Sequence, residues 1–244
     1  MEGASRLTGR SDRDQGRRVP KVQARKAAPA ASGPPPAGAG LRAARPRITS
    51  GPALRILVTG KRGAGKTTVC EKAAAILKDA GLRCGGVLTE KIVDQEGKIA
   101  GLRVRDLADP RREWVLARTD RPWDGPCVGP YRFSREALRM GREALERAVA
   151  ESEVVLADEL GHLELRGEGF SNLLPLLLSE APLPVIAVVR TELLAEVRDR
   201  MGKAAPLVLR VAAPGRDQMP ERLARAVLDR LYASVSPPKR GRPE

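Results

Sequence analysis

The sequence predicts an α/β fold in which a mostly parallel central sheet, with an antiparallel edge, is flanked by helices. The first observation is an apolar strand that runs through a glycine-rich loop into a helix-forming segment, between residues 55 and 78. The second is the alternation of short apolar runs with helix-forming segments after residue 134. The third is a pair of stretches of alternating polarity between residues 99 and 117, which is typical of antiparallel strands joined by turns.

The glycine-rich loop is the most specific motif in the chain. Residues 60–67 read G-K-R-G-A-G-K-T, the G-x-x-x-x-G-K-T pattern in which backbone N–H groups surround a polyphosphate. Glycine is needed because a Cβ would obstruct both the tight turn and the close approach to phosphate oxygens. Lys66 is predicted to act as a catalytic residue on the β- and γ-phosphates, and the Thr67 hydroxyl is predicted to bind Mg²⁺. The residues of this segment predicted to bind a nucleoside triphosphate are Gly60, Lys61, Arg62, Gly63, Ala64, Gly65, Lys66, Thr67 and Thr68.

The first strand and helix are predicted at residues 56–58 and 69–78, and a second strand at 84–89. Glu90 is then expected just past the carboxyl end of that second strand. Ligands of open α/β sheets bind outside such ends, so Glu90 is a candidate site residue, with a solvated loop carboxylate as the alternative. Two antiparallel strands, at 99–107 and 113–117, are predicted to extend one edge of the sheet.

Residues 118–134 have no periodicity and hold several prolines and glycines, which predicts a long loop. Loops of this length inside compact domains are often functional lids. Its arginines Arg118, Arg121 and Arg132 are therefore candidates for phosphate contacts, the alternative being ordinary solvated surface residues. Ser134 is predicted to cap a helix at residues 135–150.

An apolar strand beginning at Val154 runs into the acidic pair Asp158 and Glu159. Asp158, at the end of the strand, is predicted to bind Mg²⁺, and Glu159 is predicted to orient and deprotonate a water molecule as a catalytic residue. His162 follows three positions after Glu159 and is either a neighbour of the site or a structural residue.

The remaining elements are predicted as a helix at 170–179, a strand at 183–190, a helix at 192–200, a strand at 207–212 and a closing helix at 219–232. The longest apolar run, residues 173–178, is far shorter than the roughly 20 residues needed to span a membrane. We therefore expect a cytoplasmic protein with no membrane partner. The three cysteines lack metal-ligand spacing, and we expect reduced thiols.

The basic character of the chain lies largely at its ends. The net charge is +14, of which residues 1–53 carry +8 and the last eight residues +2. We expect residues 1–53 to be a disordered Ala/Pro/Gly/Arg-rich extension, or sequence upstream of the true translation start. We expect one P-loop NTPase-like domain at 54–235 to follow it, and then a basic tail at 236–244. The tail reads P-K-R-G-R-P, similar to the AT-hook core that enters the DNA minor groove, so nucleic acid is a candidate partner.

The motifs together resemble the family of thermophilic and cancer-related nucleoside-triphosphatases. The resemblance covers residues 53–234 and is carried by V-T-G-x-x-G-x-G-K-T-T, G-G-V-L-T-E at 85–90, G-L-R-V at 101–104, V-G-P-Y at 128–131, D-E-L-G-H-L-E-L at 158–165 and G-R-D at 215–217. It implies a three-layer, RecA-like P-loop NTPase fold, and we expect a monomer. It also implies Mg²⁺-dependent hydrolysis of ATP, GTP and other nucleoside triphosphates with low base selectivity.

The resemblance further implies that Arg216 lies near the base. The chain departs from the family pattern at two positions, with Gly215 where an Asn is usual and His162 where a Lys is usual. Two other functions remain open from sequence. One is a nucleoside or nucleotide kinase that transfers the phosphoryl group to a small acceptor, and the other is a nucleotide-dependent, DNA- or RNA-associated protein that uses the basic tails. A guanine-specific switch is disfavoured because no N-K-x-D motif is present.

Overall fold

The computed structural model describes residues 54–202 and 205–232 of the chain. Within those residues, nine strands form one sheet, with helices on both of its faces. The strands are β1 (Arg55–Thr59), β2 (Cys84–Val93), β3 (Ile99–Asp106), β4 (Glu113–Arg118), β5 (Cys127–Val128), β6 (Tyr131–Phe133), β7 (Val154–Leu160), β8 (Val185–Val189) and β9 (Leu207–Arg210). The helices are α1 (Lys66–Asp79), α2 (Arg135–Glu151), α3 (His162–Leu165), α4 (Leu173–Leu178), α5 (Leu194–Met201) and α6 (Met219–Tyr232).

The strand order is β5-β6-β4-β3-β2-β7-β8-β1-β9. The pairs from β2 to β9 in this order are parallel, and those from β5 to β2 are antiparallel. The predicted α/β fold with a parallel sheet and an antiparallel edge is therefore confirmed. Because β8 lies between β1 and β7, the glycine-rich loop after β1 and the acidic pair on β7 are separated by one strand.

Alternation along the parallel strands divides the buried residues into two apolar clusters, one on each face of the sheet. In β1, for example, Ile56 and Val58 face one cluster and Leu57 faces the other. The first cluster is completed by α1 and α6, and the second by α2, α3, α4 and α5. This arrangement gives the three predicted layers and fixes the parallel strands from both sides.

Several boundaries differ from prediction. β2 continues to Val93 because its second half pairs with β3 as an antiparallel ribbon, so Glu90 lies inside the strand and not beyond its end. The predicted loop at 118–134 contains the short hairpin of β5 and β6, and the chain after β7 forms the unpredicted helix α3. Ser134 caps α2 as predicted, since its side chain accepts a hydrogen bond from the backbone N–H of Ala137 at 3.1 Å.

The predicted extension at 1–53 and tail at 236–244 lie outside the described residues, so these predictions stay predictions. Among residues 54–202 and 205–232, no helix is long and apolar enough to cross a membrane. The cysteines Cys70, Cys84 and Cys127 are unpaired, and burial raises the pKa of the Cys84 thiol to about 11.

Candidate active site

The glycine-rich loop, hereafter the P-loop (residues 60–67), joins the carboxyl end of β1 to the first turn of α1. Gly60 has φ +155°, and a Cβ added there would stand 2.4 Å from the carbonyl oxygen of Val211. Gly65 adopts the left-handed conformation with φ 90° immediately before α1. These positions require glycine, and the loop they allow presents the amino-terminal N–H groups of a 14-residue helix to an anion.

Lys66 lies over the P-loop. Its ammonium donates hydrogen bonds to the carbonyl oxygens of Gly60 at 2.9 Å and Lys61 at 3.2 Å. The side chain is thus folded back along the loop, and its positive charge stands where the sequence motif predicts a polyphosphate. This placement agrees with the predicted contact between Lys66 and the terminal phosphates.

Thr67 and Asp158 meet across the interface between α1 and β7. The Thr67 hydroxyl donates a hydrogen bond to Asp158 Oδ2, and the hydroxyl of Thr89 on β2 donates to the Asp158 carbonyl. Asp158 is only 2% exposed, and burial raises the pKa of its carboxyl to about 7, against the opposing effect of the Thr67 hydrogen bond. The two residues predicted to bind Mg²⁺ are therefore in direct contact.

The Thr67 and Asp158 pair fits a magnesium ion by chemistry, because hydroxyl and carboxylate oxygens are the ligands that Mg²⁺ prefers. In the part of the chain that the structure describes, there is no group of three or more His, Cys, Asp or Glu side chains that could hold a metal. The two residues therefore provide a partial ligand set. Mg²⁺ commonly completes such a set with waters and substrate phosphates.

Glu159 lies at a β-bulge in β7. The register with β8 shifts between Asp158 and Leu160, which leaves Glu159 as the extra residue. Strict alternation would put Ala157 and Leu160 on opposite faces, yet both are buried in the same apolar cluster. The bulge therefore reverses the phase of the strand at Glu159, which is a common device next to active sites.

Glu159 forms an ion pair with Arg190, the residue that follows β8. Arg190 Nε donates to Glu159 Oε1 at 2.6 Å, and the side chains are 37% and 29% exposed, respectively. The sequence offered no specific reason to select this arginine. Its position beside Glu159 follows from the pairing of β7 with β8, which brings together the carboxyl ends of the two strands.

A cleft of about 650 Å³, hereafter the P-loop cleft, joins these groups. It is lined by Gly60, Lys61, Arg62, Gly63, Gly65, Lys66, Thr67, Thr68, Thr89, Glu90, Lys91, Leu102, Tyr131, Asp158, Glu159, Arg190, Thr191 and Glu192. It thus brings together the P-loop and the acidic pair, as the sequence predicts. It also includes Tyr131, whose hydroxyl accepts a hydrogen bond at 3.2 Å from Arg62 and so connects the β5–β6 hairpin to the P-loop.

Glu90 reaches the P-loop cleft from within β2 and is held there by two arginines of β3. Arg103 and Arg105 donate to its two carboxylate oxygens at 2.8 and 2.7 Å, and Arg105 also pairs with Glu71 of α1. Burial alone raises the pKa of Glu90, but these hydrogen bonds outweigh that effect and lower it. Glu90 is thus an ionised carboxylate that connects the antiparallel ribbon to the wall of the cleft.

The three arginines of the predicted lid lie elsewhere. Arg118 and Arg121 pair with Asp120, and Arg132 donates to the carbonyl of Gly129 at 3.2 Å. None of the three lines the P-loop cleft among the residues described. The expected phosphate contacts of these arginines are therefore not supported, because each side chain bonds a partner in its own segment.

His162 and Arg216 flank the P-loop cleft without lining it. His162 is exposed and lines a separate pocket of about 420 Å³, and with Glu159 it also borders a small pocket of about 50 Å³ next to the cleft. Arg216 lies against the start of α1, since a Cβ added to Gly65 would stand 3.2 Å from Arg216 Cδ. Arg216 is therefore adjacent to the P-loop, and its predicted contact with the base stays a prediction.

Comparisons with known proteins identify the family of the chain. A family model described as NTPase matches residues 55–224. Proteins named nucleoside-triphosphatase THEP1 from Methanopyrus kandleri, Thermofilum pendens and Methanosarcina barkeri are 33%, 35% and 36% identical to this chain. The alignments cover 72%, 72% and 70% of this chain and 96%, 96% and 95% of those relatives.

Two solved structures share the fold. The crystal structure of THEP1 from Aquifex aeolicus has a TM-score of 0.59 at 22% identity, over 71% of this chain and 99% of that one. The solution structure of a human cancer-related nucleoside triphosphatase has a TM-score of 0.57 at 25% identity, over 72% and 97%. The resemblance drawn from the sequence motifs is confirmed, and the chain belongs to the NTPase family.

Proposed function

We propose that the protein hydrolyses nucleoside triphosphates to nucleoside diphosphate and inorganic phosphate, with Mg²⁺ and with low base selectivity. The observation that carries the proposal is that Glu159 lines the same cleft as the P-loop and Asp158. A P-loop alone predicts nucleotide binding. A carboxylate in the cleft, next to the predicted metal ligand, supports the use of water as the phosphoryl acceptor. The names of the THEP1 relatives agree with this reaction.

The backbone N–H groups of the P-loop and the Lys66 ammonium bind the β- and γ-phosphates. Glu159 orients a water molecule and accepts one of its protons, because its Oε2 has no protein partner among the described residues while Oε1 is held by Arg190. The water oxygen forms a bond to the γ-phosphorus as the bond from that phosphorus to the β–γ bridging oxygen breaks. The electron pair leaves with the diphosphate, and the remaining group is inorganic phosphate.

Thr67 and Asp158 would hold the Mg²⁺ ion, which would supply positive charge against the phosphate oxygens. Low base selectivity is consistent with the sequence, because the chain has no guanine-specific N-K-x-D segment. Arg216 is the residue proposed to lie near the base, where a flexible cation stacks on any ring. The cytoplasmic location and the monomeric state stay predictions.

The decisive variant is Glu159→Gln, which keeps the shape of the side chain and removes its ability to accept a proton. We expect turnover of ATP and GTP to fall by about 10²- to 10⁴-fold, the usual contribution of a general base. Phosphate release, measured without any added acceptor, reports turnover, and binding of a fluorescent non-hydrolysable nucleotide reports affinity. Affinity should change little because the P-loop is untouched.

Glu143→Gln is the matched control, since Glu143 is an exposed partner of Arg139 on α2. Turnover of Glu159→Gln equal to that of the wild type would remove Glu159 from the reaction. Phosphate that appears only when a hydroxyl acceptor is supplied would replace hydrolysis by the phosphotransferase alternative. Omission of Mg²⁺, with a chelator present, tests the metal requirement in the same assay.

A further inference from the structure

Arg190 occupies a position that the sheet order makes central to the P-loop cleft. It follows β8, the strand that lies between the P-loop strand β1 and the strand β7 that carries Glu159. The carboxyl ends of these three parallel strands meet at one edge of the sheet. The side chain of Arg190 therefore enters the cleft between the phosphate-binding loop and the proposed base.

Only one nitrogen of the Arg190 guanidinium donates a hydrogen bond within the described residues. Its Nε donates to Glu159 Oε1 at 2.6 Å, and neither terminal nitrogen donates a hydrogen bond to any residue that the structure describes. The side chain is 37% exposed and lines the cleft. A guanidinium has five donors in a fixed planar fork, so the edge that faces away from Glu159 is available to a ligand.

Two other basic side chains of the cleft, Lys66 and Arg62, bond to the protein without contacting the acidic pair. Lys66 is bound to P-loop carbonyls, and Arg62, the second arginine that lines the cleft in the described chain, donates to the hydroxyl of Tyr131. Of the two arginines that line the cleft in the described chain, Arg190 is the one that also bonds Glu159. An arginine edge of this kind matches two oxygens of a phosphoryl group.

We propose that Arg190 is a catalytic residue that binds the γ-phosphate through its terminal nitrogens while its Nε holds Glu159. The inference rests on the proposed hydrolysis and adds a specific group to it. Charge is spread over the γ-phosphoryl oxygens in the transition state, and a fixed guanidinium stabilises that charge without reorganisation. The same side chain orients the carboxylate that positions the water, so one residue couples the placement of the nucleophile to the stabilisation of the phosphoryl group.

The first test compares Arg190→Ala and Arg190→Lys with the wild type in steady-state hydrolysis of ATP and GTP. Arginines in this role contribute about 10³-fold or more, so we expect kcat of Arg190→Ala to fall by about 10³-fold, with KM changed by less than about threefold. Arg190→Lys should stay within about tenfold of Arg190→Ala, because an ammonium cannot hold Glu159 and phosphate through two edges at once. A kcat of Arg190→Ala within threefold of wild type would overturn the proposal.

A double-mutant comparison separates phosphate contact from mere orientation of Glu159. If Arg190 acts only through Glu159, the double variant Glu159→Gln/Arg190→Ala should hydrolyse ATP at the same rate as Glu159→Gln. That result would contradict the proposed phosphate contact. If Arg190 binds the γ-phosphate, single-turnover rates of the double variant should be at least about tenfold lower than those of Glu159→Gln. Stable binding of nucleoside diphosphate with aluminium fluoride should likewise persist in Glu159→Gln and be lost in Arg190→Ala.

The control is Arg139→Ala, which removes an exposed ion pair on α2 and should leave the rates unchanged. Thermal unfolding followed by circular dichroism shows whether each variant is folded. If Arg190→Ala does not fold, Arg190→Lys replaces it in the kinetic test. The two proposals fail differently. Wild-type protein that releases no phosphate from any nucleoside triphosphate contradicts the proposed function, whereas active wild type with an equally active Arg190→Ala contradicts only the role of Arg190.

Discussion

Arg55 is the first residue of β1, the strand that carries the P-loop at its other end. Its side chain is 3% exposed, and burial lowers the pKa of the guanidinium. It satisfies this buried position with backbone carbonyl oxygens from α4 and the segment that follows it. The acceptors are Leu177 at 3.1 Å, Ser179 at 2.7 Å, Ala181 at 3.1 Å, Leu183 at 2.8 Å and the neighbouring Leu54 at 3.1 Å.

Arg55→Met keeps an unbranched stem and removes all of these donors. The bonds to Leu177 and Leu183 are buried, so two carbonyl groups would lose their partners without gaining water. Each unsatisfied buried carbonyl costs about 1–3 kcal/mol in the free energy of unfolding. The variant no longer buries a charged guanidinium, which offsets part of that loss. We expect a net loss of about 3 kcal/mol in the free energy of unfolding, which lowers Tm by roughly 6–12 °C for a domain of this size.

Urea and thermal unfolding followed by circular dichroism measure this loss. Arg111→Met is the control, because the Arg111 side chain is 90% exposed and, among the described residues, bonds Asp109 alone. The unfolding midpoint of Arg111→Met should equal that of the wild type. Nucleotide affinity of folded Arg55→Met should not change, since Arg55 and the P-loop lie at opposite ends of β1. A loss below about 1 kcal/mol would refute the reasoning that these carbonyls depend on the guanidinium.

Two further variants test the P-loop and the wall of its cleft. Gly60→Ala forces a Cβ to within 2.4 Å of the Val211 carbonyl, so nucleotide affinity by calorimetry should fall by at least about tenfold. Gly97→Ala, at φ +78° in an open turn, controls for backbone strain, and equal affinities would contradict the steric argument. Glu90→Gln should be less stable than wild type near neutral pH, because ion pairs lower the pKa of Glu90. That stabilisation is present above the unfolded-state pKa and is lost as pH falls through the folded-state pKa. The difference in unfolding free energy between wild type and Glu90→Gln should therefore shrink below about pH 4. A difference that does not depend on pH would contradict this reasoning.

The parts of the molecule that could be predicted from sequence are those specified by local chemistry. The P-loop requires glycines within a few residues of each other, and the strand before it and the helix after it have distinct periodicities. Thr67 and Asp158 lie far apart in sequence, yet the carboxyl ends of parallel strands share one edge, so their meeting follows from the fold. The family motifs, which combine these segments in order, identify the same residues independently.

The parts that could not be predicted depend on pairing between distant strands. Residues 84–93 read as a strand followed by a polar turn, and only the antiparallel partner β3 shows that the strand continues through Glu90. The arginines of segment 118–134 are candidates on charge alone, but the structure gives Arg118 and Arg121 an ion pair with Asp120 and gives Arg132 a bond to the Gly129 carbonyl. Arg190 had no motif of its own, and its role emerges from the neighbouring strand that carries Glu159.

The β-bulge in β7 shows most clearly why residue identity does not determine a site. Asp-Glu in a regular strand points its two carboxylates to opposite faces of the sheet, one toward α1 and the other toward the cluster under α2. The bulge at Glu159 breaks that alternation, and Leu160 takes the buried position on the second face instead. Glu159 lies at the edge of the P-loop cleft, where it pairs with Arg190. The extra residue thus lets β7 bury both Ala157 and Leu160 in one cluster while Glu159, between them, stays partly exposed beside the P-loop.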